Sequence, residues 1–245
     1  MRAGKIAIVA ATVVALGGMS AAAAASAGGP ASGTPTRSVN HGRFTNPREN
    51  PYFPLKPGTV FHYRGTDDGE KFTERVEVTR STKKIQGVTT TVVRDVVRRA
   101  DGSVAEKTDD WYAADNHGNV WYFGENTATY DESGHLESRE GSFQAGVDGA
   151  VVGIIMPAHP KPTDAYRQEF YRGHAEDQAW IVEQGMSTTV PYGRLHDVVR
   201  SFEWTRLEKK VMSEKLYAPG LGLVRERDTA GGSEFFALVS VTHQT

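Results

Sequence analysis

Cysteine is missing from all 245 residues. That excludes disulfides, thiolate metal sites, a cysteine nucleophile and a lipid-modified N-terminal cysteine. Stability must come from burial. A second absence is a basic run with interleaved aromatics, so nothing points to nucleic acid. A third is any apolar stretch of about 20 residues beyond the N terminus, so no integral span is expected in the mature protein. There is no Gly-x-Ser-x-Gly, since Gly141-Ser142-Phe143-Gln144-Ala145-Gly146 has the wrong spacing, no His-Glu-x-x-His and no Walker loop. No repeat of 20–50 residues is visible, which counts against a solenoid or propeller. No cofactor or metal is called.

The N terminus carries what the rest lacks. Arg2 and Lys5 precede an apolar run, Ile6 to Leu16, and Ala25-Ser26-Ala27 is a small-x-small cleavage site. This is the layout of a secretory signal peptide over residues 1–27, which implies a secreted, extracellular or cell-wall-associated protein. Cleavage removes two basic residues and no acids, leaving a net charge of −4. Residues 28–49 are rich in Gly, Pro, Ser, Thr and Asn and read as a flexible leader.

From Asn50 the texture is that of strands. Val, Thr and aromatic residues dominate, and turn residues recur about every ten positions: Gln86-Gly87, Asp101-Gly102, Ser133-Gly134, Pro219-Gly220 and Gly231-Gly232. This spacing predicts one all-β, mainly antiparallel domain over 50–245: a curved sheet, half-barrel or sandwich with one or two short helices. Val92/Val93 and Val96/Val97 place branched side chains on both faces of their strand, so it should be covered on both sides. "HAEDQAWIVEQG" (His174 to Gly185) fits a short helix or a strand equally well.

Four stretches, "NPYFPLKPGTVFHYRG", "DWYAADNHGNVWYFGE", "YRQEFYRGHAED" and "YAPGLGLVRE", resemble exported bacterial proteins of unassigned function. The resemblance implies a curved antiparallel half-barrel like that of lipoprotein carriers and related secreted binding proteins. It brings no catalytic residues.

Two places could carry function. The hairpin Asp109 to Glu125 holds Trp111, Tyr112, Trp121, Tyr122 and Phe123 around Asp115-Asn116-His117-Gly118-Asn119. The Asp115 run starts like a calcium loop, but positions six and twelve would be Val120 and Asn126, so it reads as a turn. With a turn of Asp115 to Gly118, Tyr112 would oppose Trp121 and Trp111 would oppose Tyr122. Both faces are then aromatic, one in the core and the other lining a groove or lying under a cover. A one-residue change in turn length would regroup these partners and still leave aromatics on both sides. The second place is the strand from Ala165 to Tyr171, where regular alternation puts Arg167, Glu169 and Tyr171 on one face.

The function expected is non-enzymatic binding of a lipid or other small apolar or amphipathic ligand, or of an envelope component. Trp111, Tyr112, Trp121, Tyr122, Arg167, Glu169 and Tyr171 are the candidate ligand residues. The alternatives are an acid/base hydrolase using Asp110, Glu125, Glu169 or Asp177, and an envelope interaction module with no small ligand.

Overall fold

The computed structural model describes residues 39–244. The expected signal peptide, and the leader up to residue 38, lie outside them. A short 3-10 turn, His41–Phe44, precedes the strands. These are β1 (Thr59–Asp67), β2 (Glu70–Ile85), β3 (Val88–Arg99), β4 (Val104–Ala114), β5 (Val120–Tyr130), β6 (Leu136–Ser138), β7 (Phe143–Gln144), β8 (Val151–Met156), β9 (Ala165–Arg167), β10 (Glu169–Phe170), β11 (Asp177–Val190), β12 (Gly193–Thr205), β13 (Met212–Ala218), β14 (Gly222–Ala230) and β15 (Phe235–His243). All their pairings are antiparallel. The fold is all-β, and the stretch that fits helix or strand equally well enters β11 from Asp177 on.

Local chemistry sets the hairpins. Asp68-Gly69 between β1 and β2 has φ of 46° and 82°, and Gln86-Gly87 between β2 and β3 has 45° and 82°. Two consecutive left-handed residues give the two-residue loop whose twist matches the flanking strands.

Closure is decided elsewhere. The sheet runs β10-β8-β5-β4-β3-β2-β1-β15-β14-β13-β12-β11-β9. Its two edge strands, β10 and β9, are separated in sequence by Gln168 alone. One short stretch of chain therefore pairs with both edges and bends the sheet into a nearly closed barrel, leaving little edge unpaired. Gln168 is fully buried, and its backbone N–H donates to Asp177 O at 2.9 Å. Gly153 on β8 is required here, because a Cβ would collide with Gln168 O.

Two apolar clusters follow. The interior cluster includes Phe61, Tyr63, Phe72, Val93, Tyr112, Tyr122, Tyr217, Phe236 and Leu238. The second lies outside the sheet around Ile85, Val92, Trp111, Ala113 and Phe123. Val39 and Phe44 pack on it, Phe44 standing edge-on to Trp121 and Phe123 at 6.1 and 5.6 Å. Val39 and Phe44 fall within the stretch read as a leader. Asn116 ties this segment down, accepting from Asn46 N–H at 2.7 Å and donating to Gly42 O at 2.8 Å. An aromatic outer face needs a cover, and the chain itself supplies one. Val92 and Val93 are covered on opposite faces, while Val96 stays half-exposed.

Candidate functional site

The turn of the β4–β5 hairpin is one residue longer than expected. Asp115 N–H donates to Asn119 O at 2.8 Å, and Ala114 opposes Val120. Tyr112 therefore opposes Tyr122, and Ala113 opposes Trp121. The expected pairs Tyr112/Trp121 and Trp111/Tyr122 do not form. Instead Tyr112 and Tyr122 stack inside the barrel with ring centres 4.7 Å apart, and Trp111 and Trp121 belong to the outer face. Asp115 is fully buried and accepts from His117 N, Asn119 N, Asn119 Nδ2 and Trp121 Nε1 at 2.9–3.0 Å. These hydrogen bonds hold its carboxyl below the usual range against the opposing effect of burial. The loop is organised as a turn.

A bulge next sets the acids. The register shifts between Asp110 and Tyr112, so that Trp111 faces both Phe123 and Gly124 and Asp110 opposes Glu125. Asp110, Glu125 and the two tyrosines all point inward. The Tyr122 hydroxyl donates to Asp110 Oδ1 at 2.6 Å. The bend at Gln168 turns Glu169 inward as well, where it meets the fields of Asp177, Glu125 and Asp110. The four acids singled out from sequence therefore converge, and each is 6% exposed or less. Burial pushes Asp110 and Asp177 up to about 8, and Glu169 well above the usual range.

More interior acids surround them: Glu74, Asp95, Glu106, Glu203 and Glu226. Burial raises Asp95 to about 7 and Glu106 to about 8. Among the described residues, the one buried lysine is Lys215, with Nζ 3.2 Å from both Glu203 and Glu226. Burial opposes its charge, but the two carboxylates prevail and raise its pKa.

Two spaces reach the candidate acids Asp110 and Glu125, and a further cleft of ≈ 470 Å³ beside Arg64, Arg75 and Arg98 reaches Glu74. The first is a cavity of ≈ 60 Å³ under the strap Tyr52-Phe53-Pro54-Leu55, partly open to solvent. Phe61, Val76, Val78, Val93, Tyr112, Leu221 and Leu223 line it, and Asp95 and Asp110 form its polar floor. Asn50 anchors the strap. Its buried Nδ2 donates to Gly118 O at 2.8 Å and Pro157 O at 2.9 Å, and its Oδ1 accepts from Tyr52 N–H at 2.9 Å. The strap closes one mouth of the barrel because these partners sit on the ends of different strands. The second space is an open cleft of ≈ 440 Å³, lined by Lys83, Trp111, Glu125, Phe143 and Tyr171 among others.

Of the expected ligand residues, only Tyr112 lines the cavity. Trp111 lies beneath the Lys83 ammonium, 3.1 Å from its ring centre, and Trp121 lies beneath Arg43 at 5.1 Å. Tyr122 is a fully buried support for Asp110. Arg167 is exposed over the Phe170 ring at 4.2 Å, so the expected shared face of Arg167, Glu169 and Tyr171 is broken by the bend. Tyr171 is half-buried and stacks on His174 at 4.4 Å.

Asp95, Glu74, Phe53 and Leu55 were not singled out from sequence. A signal for the two acids is present: Asp95 lies between Val93 and Val97, and Glu74 between Phe72 and Val76. Each is an acid flanked at i±2 by apolar residues, and so sits on a buried face. Phe53 and Leu55 carry no such mark.

Among the described residues no group of three or more His, Asp or Glu could hold a metal ion, and no helix is long and apolar enough to cross a membrane. No family model matches the chain, and no curated protein matches it. Two solved structures are similar. One is described as an exported protein with a YmcC-like fold from Bacteroides fragilis; at 13% identity it covers 78% of this chain and 98% of its own, with a TM-score of 0.46. The other is described as a lipoprotein from Parabacteroides distasonis; at 14% identity it covers 80% of this chain and 100% of its own, with a TM-score of 0.43.

Proposed function

We propose that the protein is exported and binds a small apolar or amphipathic ligand, without catalysis, in the cavity beneath the Tyr52–Leu55 strap. The observation that carries this reading is an apolar cleft, partly open to solvent, with a polar floor. Its ≈ 60 Å³ is well below the roughly 300 Å³ of a typical small-molecule site. A ligand would enter by one end, or the strap would lift to admit more. Export rests on the N-terminal layout of basic, apolar and small residues.

The hydrolase alternative is weaker on geometry. Paired carboxylates need one substrate and one water between them. Asp110 lines the cavity and Glu125 lines the separate open cleft, while Glu169 and Asp177 line neither.

The test uses N-phenyl-1-naphthylamine, a neutral apolar dye that brightens in apolar surroundings, added to the mature protein. Emission should rise on mixing, and Leu221→Trp, which fills the mouth, should abolish the rise with the fold retained by circular dichroism. No rise, or one that Leu221→Trp leaves unchanged, would refute the reading.

A further inference from the structure

The cavity floor is chemically one-sided. Asp95 is 2% exposed and lines the cavity, yet neither of its carboxylate oxygens accepts a hydrogen bond of good geometry, and only the Glu74 carboxyl and the Val96 N–H act on it as weaker partners. Neighbouring Glu74, also 2% exposed, has two more oxygens without such a bond. One proton shared between Glu74 and Asp95 supplies a single donor and leaves the other oxygens unserved. Asp110, the other floor carboxyl, receives the Tyr122 hydroxyl. The buried lysine is committed to Glu203 and Glu226. Buried acceptors without donors cost free energy until something provides them.

We infer that the ligand is a cationic amphiphile, a primary amine on an apolar chain, whose ammonium sits between Asp95 and Asp110. This rests on the binding reading above. An alkylammonium brings three N–H donors and one positive charge, which answers a floor where Asp95 is short of donors and Asp110 has the Tyr122 hydroxyl on one oxygen. The space suits it: at roughly 10–15 Å³ of probe volume per water, ≈ 60 Å³ holds the ammonium and the first carbons. The rest of the chain would leave by the mouth at Leu221, beneath the strap. A carboxylate or phosphate head would add like charge to the same floor, and an alcohol would bring one donor and no charge. Burial holds both floor carboxyls above the usual range, and an ammonium would favour their charged forms.

The test is calorimetric titration of the full mature protein with n-octylamine, n-octanol and octanoate at one pH near 7.5. Octylamine should bind at least about tenfold more tightly than octanol, and octanoate should bind most weakly. Asp95→Asn should bring octylamine to the affinity of octanol and leave octanol unchanged. Equal affinity of octylamine and octanol, or octanoate binding best, would overturn the amine inference and leave the binding reading standing. If none of the three binds, both fall. The head-group series needs only the unaltered protein, so it decides the matter even should Asp95→Asn not fold.

Discussion

On its inner face the β4–β5 hairpin presents Tyr112 and Tyr122, whose hydroxyls serve Asp110. On its outer face it presents Trp111, Ala113, Trp121 and Phe123, which meet Phe44, Val39 and the ammonium of Lys83. Tyr122 and Phe123 are adjacent in sequence and both wholly buried. One ring is bound into a polar, titratable interior, and the other into an apolar seam sealed by the chain's own N-terminal segment. Burial depth is therefore a poor guide to role. What a buried ring touches decides whether its contribution depends on pH.

The largest expected effect is on the apolar side. Phe123→Ala should cost about 3–5 kcal/mol, as for other buried aromatic truncations, and by the same amount at pH 5 and pH 8.5. Urea unfolding at the two pH values checks this. A cost that changed strongly with pH would mean the two faces are not independent.

The inner face should show itself in the intact protein. Its carboxyls have folded pKa values raised above their unfolded values near 4: Asp95 to about 7, and Glu106, Asp110 and Asp177 to about 8. Between pH 4 and 8 the folded state thus keeps protons that the unfolded state has lost. Their contribution is fully present below about pH 4 and is lost as pH rises towards 8. The opposite sign applies to Asp115, Glu176 and Glu214, whose lowered values remove stability only at acid pH. The protein should be more stable at pH 5 than at pH 8.5 by at least about 2 kcal/mol, or some 5 °C in Tm. Tyr122→Phe should steepen the fall, because Asp110 loses a donor that favours its ionised form. A flat or rising profile between pH 5 and 8.5 would contradict the buried acids.

The smallest effect concerns the cover. Phe44→Ala should cost about 1 kcal/mol, the scale of a half-buried edge-on aromatic pair. It should also make Trp121 more accessible to acrylamide quenching. Unchanged stability and quenching would show that the outer face holds without its N-terminal cover.

Much of the fold was legible because its causes are local. Period-two alternation marked the strands, and Gln86-Gly87 and its counterparts marked the turns. The stretch from Ala165 was read as a strand, and so it is, but alternation could not show that it splits at Gln168 to meet both sheet edges. The four acids Asp110, Glu125, Glu169 and Asp177 were visible as candidates, though not their convergence. Asp95 was the most readable omission, since its valine neighbours at i±2 already put it on a buried face. The hairpin partners were misassigned by one residue. Asp115 captures Asn119 and Trp121, which lengthens the turn, and a one-residue change regroups the partners across a strand pair.

The sequence by itself determined an all-β chain, the positions of its turns, and that both faces of one hairpin are aromatic. These follow from steric preferences and side-chain alternation within a few residues. Only the tertiary structure decided which tyrosines face inward, that acids far apart in sequence share one interior, and that residues 50–55 close a cavity above Asp95 and Asp110. Those outcomes depend on a bulge at Trp111, a bend at Gln168 and the closing of a sheet. The bulge and the bend are shifts of one or two residues that alternation cannot see, and each changes which side of the sheet a side chain occupies.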